Sequence, residues 1–126
     1  MADIMDPTRA AQPSLAIDLD ERGEVVCARL HGYVDAETAP QLDEELQAVR
    51  ARNVRNVVVD FSDVTHLSSQ GVAVLMRNLM VLRDGGGDLR LAGLNPRLRE
   101  ILLALAMVDV FQSHPDAAAA IASFGA

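Results

Sequence analysis

The chain has 126 residues, half of them hydrophobic but only 3% aromatic, so a single core must be built from Val, Leu, Ile, Ala and Met. Its formal net charge of -7 repels a phosphate backbone, and no basic stripe with interleaved aromatics offsets it, which argues against nucleic-acid binding. A lone cysteine, Cys27, leaves no internal disulfide, and no apolar run approaches the ~20 residues of a membrane span. The N-terminus also lacks an apolar signal core, so the expected setting is cytoplasmic, without direct membrane insertion.

Residues 1–13, "MADIMDPTRAAQP", mix small, polar and proline residues without a period and read as a flexible tail ahead of one domain spanning 14–126. From Ser14, "SLAIDLD" alternates, with Leu15, Ile17 and Leu19 on one face of a half-buried strand. "DERG" predicts a turn and "EVVCARLHG" a second strand, hence an antiparallel hairpin. After Gly32 the period lengthens. Ala39, Leu42, Leu46 and Val49 recur at helical spacing, with Pro40 in the first turn.

"RNVVVDF" is apolar on both faces, as a strand buried within a parallel sheet should be, and a polar loop is expected after it. The next helix sets Val72, Leu75, Met76, Leu79 and Leu82 on one stripe, and "RDGGGD" closes it with a glycine in the left-handed cap conformation. "LRLAG" predicts a short strand, followed by a helix carrying Leu98, Ile101, Leu102 and Leu105, and "VDVF" is a candidate last strand. "SHPD", Ser113–Asp116, has capping-box spacing before an alanine-rich final helix. The order β-β-α-β-α-β-α-β-α predicts an α/β domain. Its sheet is mixed but mostly parallel, of four to five strands, with about four helices packed mainly on one face.

Ser68 or Ser69, His66 and Asp60 or Asp63 supply the residue types of a hydrolytic triad, but no glycine stands two residues before either serine as a nucleophile elbow requires. The partners also precede the serines, the reverse of the order in α/β-hydrolases. No catalytic residue is therefore assigned. Gly85–Gly87 close a helix instead of opening one, so they form a turn and not a phosphate cradle. His31, His66 and His114 fall on separate elements without metal-ligand spacing, and no metal or other cofactor is expected. The serine pair remains. One hydroxyl suffices to cap the helix, and the other stands where free helix amides tolerate a phosphate best.

"DFSDVTHLSSQGVAVLM" resembles the signature of the STAS-domain anti-sigma factor antagonists, roughly D-[LF]-S-x-V-x-x-[ILM]-[DS]-S-x-G-[LV]. Asp60, Ser62, Val64, Leu67, Ser69, Gly71 and Val72 fall on the motif positions. "LHGYVDAETAPQLDEEL" and "LRLAGLNPRLREILLALAMVDVF" are similar to two further stretches of that family, so the resemblance covers about residues 14–124. It implies a stand-alone STAS domain, monomeric or weakly dimeric, that switches partners in sigma-factor control. Unphosphorylated, it would bind an anti-sigma factor serine kinase of the GHKL type and release a sigma factor. Phosphorylation at Ser69, with Ser68 as the second choice, would switch it off, and a PP2C-type phosphatase would reset it.

The same resemblance implies a partner-binding face containing Asp35, Asp63, Ser68, Ser69, Gln70 and Gly71, where Gly71 lets a partner's backbone approach. STAS domains also serve as scaffold subunits of stressosome-like assemblies and as regulatory subunits of lipid or anion transporter complexes. Those are the alternative functions the resemblance carries.

Overall fold

The computed structural model describes residues 15–125, so the expected tail 1–13 lies outside the described residues. Strands β1 (Leu15–Arg22) and β2 (Val25–Val34) form the antiparallel hairpin, paired from Leu15 with Gly32 to Arg22 with Val25. The turn is thus Gly23–Glu24: of the residues read as a turn in "DERG", Asp20, Glu21 and Arg22 belong to the strand and only Gly23 to the turn. Helix α1 (Ala39–Arg50) leads to β3 (Asn56–Leu67), α2 (Ser69–Asp84), β4 (Asp88–Ala92), α3 (Pro96–Ala104), β5 (Ser113–His114) and α4 (Ala117–Ala122). The five strands lie in the order β1-β2-β3-β4-β5, all parallel except the first pair.

Strand alternation sorts the side chains into two layers of unequal depth. Val57, Val59 and Phe61 of β3 enter the main core with Leu42, Leu46, Leu75, Leu79, Leu98 and Leu102 of helices α1–α3. Val58, with Val25, Cys27 and Ala92, faces the other way, under Ala120, Ile121 and Phe124 at the α4 end. Three helices therefore cover one face and a single short helix covers part of the other. Arg90 of β4 fastens that short helix. Its Nη1 donates to the Ser123 carbonyl and hydroxyl at 2.8 Å each, and its guanidinium lies 3.9 Å from the centre of the Phe124 ring.

Several expectations shift. Strand β3 does not end at Phe61: it continues to Leu67 through the stretch expected as a polar loop, with Val64 and Leu67 still in the core. Two β-bulges make this consistent, since three steps along β3 (Asp60 to Asp63) match two along β2 (Arg29 to His31), and the mismatch recurs between Gly32 and Tyr33. "VDVF" is a turn. Phe111 buries its ring, Leu91 donates its amide to the Gln112 carbonyl at 2.9 Å, and the short last strand is Ser113–His114. Asp116, not Ser113, caps α4, accepting the Ala119 amide at 2.8 Å. Leu105 lies just past α3 and is exposed, and Ile17 and Leu19 become progressively more exposed along β1. Gly86, with φ +89, supplies the left-handed residue one position beyond the Gly85 C-cap.

Candidate functional site

Parallel strands place their C-terminal ends, and the loops that follow, along one edge of the sheet. Val34 and Leu67 are register partners at the ends of β2 and β3, and the Ser68 amide donates to the Val34 carbonyl at 2.8 Å. The next residues of each strand, Asp35 and Ser68, therefore emerge side by side. Ala36 and Gln70 line one groove between α1 and α2, so the two loops face each other across it.

The two serines are not equivalent. Ser68 is the N-cap of α2, with extended backbone (φ -96, ψ 171), and its hydroxyl accepts the Gly71 amide at 3.4 Å. Ser69 is the first helical residue and is exposed, and its hydroxyl makes only a 3.5 Å contact to the Gln70 amide oxygen. Ser69 thus offers an accessible hydroxyl at the positive end of a 16-residue helix.

Asp35 is locked into its own loop. One carboxylate oxygen accepts the amides of Glu37 (2.9 Å) and Thr38 (3.0 Å), and Thr38 Oγ1 lies 3.2 Å from it. Buried Thr38 completes the turn by accepting the Asp35 amide at 2.8 Å and reaching the Tyr33 carbonyl at 3.0 Å. The Thr38 amide, aided by the Glu37 amide and the Thr38 hydroxyl, outweighs partial burial and holds the Asp35 carboxyl below the ordinary carboxylate range. Asp35 is therefore an anion in a fixed position beside the serine pair.

Two residues expected on the same face lie elsewhere. Asp63 stands on the outer face of the sheet, where its carboxylate meets His31 Nδ1 at 2.7 Å. Gly71 is buried: a Cβ there would sit 2.6 Å from Val34 Cγ1 and 2.9 Å from Leu67 Cδ1. The close approach glycine permits at this position is that of α2 onto its own sheet.

Residue types that suggested a triad are also dispersed. Buried Asp60 pairs with Arg29 Nε at 3.1 Å and accepts the Ser62 amide at 3.0 Å, which braces the first bulge. His66 is the register partner of Tyr33, and no hydrogen bond among the described residues joins it to either serine. No group of His, Cys, Asp and Glu suited to a metal ion occurs among the described residues. No helix among them is long and apolar enough to cross a membrane.

A feature without a short motif completes the site. From Ser69 an apolar groove runs between α2 and the segment after α3, lined by Val72, Met76, Met80, Leu105 and Met107. Met80 is 61% exposed, so the groove is open to solvent. Met76 was legible as part of a helical stripe, but it is only half-buried and serves this surface. The groove takes one wall from α2 and another from residues some thirty positions later, a juxtaposition that periodicity does not reveal.

The STAS domain family model matches residues 16–120. The chain is 30% identical to a Bordetella bronchiseptica protein assigned as the anti-sigma factor antagonist BtrV, over 87% of this chain and 95% of the relative. A solved anti-sigma factor antagonist from Mycobacterium paratuberculosis superposes with a TM-score of 0.81 at 23% identity, covering 90% of this chain and 96% of the other. SpoIIAA superposes in its unphosphorylated form with a TM-score of 0.75 at 19% identity, covering 87% and 96%. The phosphorylated form of SpoIIAA from Bacillus gives 0.67 at 18%, covering 86% and 99%. The chain belongs to the STAS-domain family of anti-sigma factor antagonists.

Proposed function

We propose that this protein binds an anti-sigma factor that is also a serine kinase of the GHKL type, and that phosphorylation of Ser69 releases it. The observation that carries this reading is the position of Ser69: exposed, first in α2, uncommitted to the backbone, and at the head of an open apolar groove. Ser68 is occupied as the cap, which favours its neighbour as the modified group. Similarity to SpoIIAA, a protein known in both phosphorylated and unphosphorylated forms, supports the same assignment.

The switch follows from charge. A phosphate adds about -1.5 to -2 at neutral pH, and free amides at the start of α2 receive it without melting the helix. It would arrive beside the Asp35 anion on a chain already at -7. A partner surface fitted to a neutral hydroxyl and an apolar groove would then have to bury that charge, which is strongly unfavourable. Asp35, Ser68, Ser69 and Gln70 form the contact face, with a PP2C-type phosphatase reversing the modification. In this reading the antagonist frees a sigma factor while it occupies the kinase.

The test is a pair of variants titrated against the cognate anti-sigma factor. Ser69→Ala should bind like the parent and resist release by ATP. Ser69→Asp should bind at least about ten-fold more weakly, or about 1.4 kcal/mol. Parent-like binding by both variants, with ATP-driven release intact in Ser69→Ala, would remove Ser69 from the mechanism.

A further inference from the structure

We propose that His31, held as an imidazolium between Asp18 and Asp63, is a pH-operated strap that ties edge strand β1 to β3, the strand leading into Ser69. On the outer face of the sheet the His31 ring spans three strands. Nδ1 lies 2.7 Å from Asp63 Oδ2 on β3, and Nε2 lies 2.9 Å from Asp18 Oδ2 on β1. Both contacts end on carboxylates. A neutral imidazole carries one N–H and can satisfy only one of them, leaving a ring lone pair facing the other anion. The bridging geometry therefore selects the doubly protonated ring.

The first bulge in β3 builds this arrangement. Without the extra residue, alternation from outward-facing Asp60 would turn Asp63 into the core. With it, Asp63 becomes the register partner of His31. Asp18 sits diagonally across on β1, two residues beyond Ala16, the partner of His31. The bulge is itself braced by Asp60, which accepts the Ser62 amide and pairs with Arg29.

The other charged or titratable groups of this face are Asp20 and Arg22 on β1, Cys27, Arg29 and Tyr33 on β2, Asp60 and His66 on β3, Asp88 and Arg90 on β4, and His114 on β5. Helix α4 packs over the Val25 and Cys27 end of the face, and the hydrogen bonds of His31 among the described residues go to Asp18 and Asp63. Asp63 first and Asp18 second raise the His31 pKa above the ordinary histidine value. A raised pKa means the strap contributes fully below the unfolded value, about 6.5, and is lost as pH rises through the higher folded value. Its release on the alkaline side removes the side-chain tie between β1 and β3, the strand that positions the serine pair, and leaves the β1–β2 ladder in place.

The test combines NMR titration of the histidine ring protons with urea unfolding at pH 6 and pH 9. In the parent, the His31 midpoint should lie above about 6.5, and Asp18→Asn with Asp63→Asn should bring it back there. Between pH 6 and pH 9 the parent's folding equilibrium constant should fall about two- to five-fold further than that of His31→Gln, the range of an exposed ion pair. Asp63→Asn alone provides the same comparison if His31→Gln does not fold. A His31 midpoint at or below about 6.5 in the parent, or equal pH dependence in parent and variants, overturns the strap.

Discussion

Adjacent hydroxyls take different roles because one peptide unit separates the cap position from the first helical residue. Ser68→Ala removes the 3.4 Å acceptor for the Gly71 amide, and the length of that bond sets the loss at the low end for a cap, about 0.5–1 kcal/mol by thermal or urea unfolding. Phosphorylation of Ser69 should survive the change. Gly71→Ala sets a helix-propensity gain of about 1 kcal/mol at most against overpacking of about 1–3 kcal/mol. Val34 is β-branched and cannot swing its Cγ1 clear of a new Cβ 2.6 Å away, so a net loss of about 1–2 kcal/mol is expected in the same assay. An unchanged or higher midpoint would mean that α2 can lift from the sheet without cost. Sequence alone marked both serines and Gly71, but not the direction the glycine faces. Its neighbours Ser69 and Gln70 are exposed, and only the helical phase of α2 against Val34 and Leu67 turns position 71 inward.

At the scale of elements, helices α1 and α2 are joined by a polar link inside an apolar interface. Asn78, fully buried, donates to Asp43 Oδ1 at 3.0 Å and to the Val74 carbonyl at 2.8 Å, and accepts Arg50 Nε at 2.8 Å. Burial pushes the Asp43 carboxyl up, but Asn78 and Arg77 outweigh it and the net direction is down. No buried side-chain nitrogen or oxygen among the described residues lacks a partner, so the link is complete as it stands. Asn78→Ala leaves Asp43 and Arg50 without that partner and should cost about 1–3 kcal/mol by urea unfolding. A loss below about 0.5 kcal/mol would show that water replaces the amide. The α1 stripe was legible because Ala39, Leu42, Leu46 and Val49 are all buried at helical spacing. Asn78 was not, since a polar residue beside an apolar stripe reads as a boundary. Strand β3 was cut short for a related reason: bulges break the two-residue period by which strands are recognised.

Across the whole molecule, unequal covering of the sheet separates the candidate site from the ion pairs of the outer face. Helices α1–α3 bury the main core and present the free hydroxyl, the Asp35 anion and the apolar groove along one edge. The opposite face carries the ion pairs Arg29–Asp60 and His31 with Asp18 and Asp63, beside a small cluster under α4. The alternation of strand and helix patterns made this layered plan readable in advance, including the excess of helices on one side. The placement of Asp63 was not readable, because it depends on one inserted residue in β3. The proposed contact face is thus narrower in acidic groups than the motif suggests and wider in apolar ones.

The most direct test of the central claim is to mix the parent protein with its cognate anti-sigma factor kinase and ATP, map the modified residue, and compare affinity before and after. The proposed switch requires a single phosphate on Ser69 and a Kd at least about ten-fold weaker once it is present. Phosphate on Ser68 or on no residue, or equal affinity for the two forms, would contradict it.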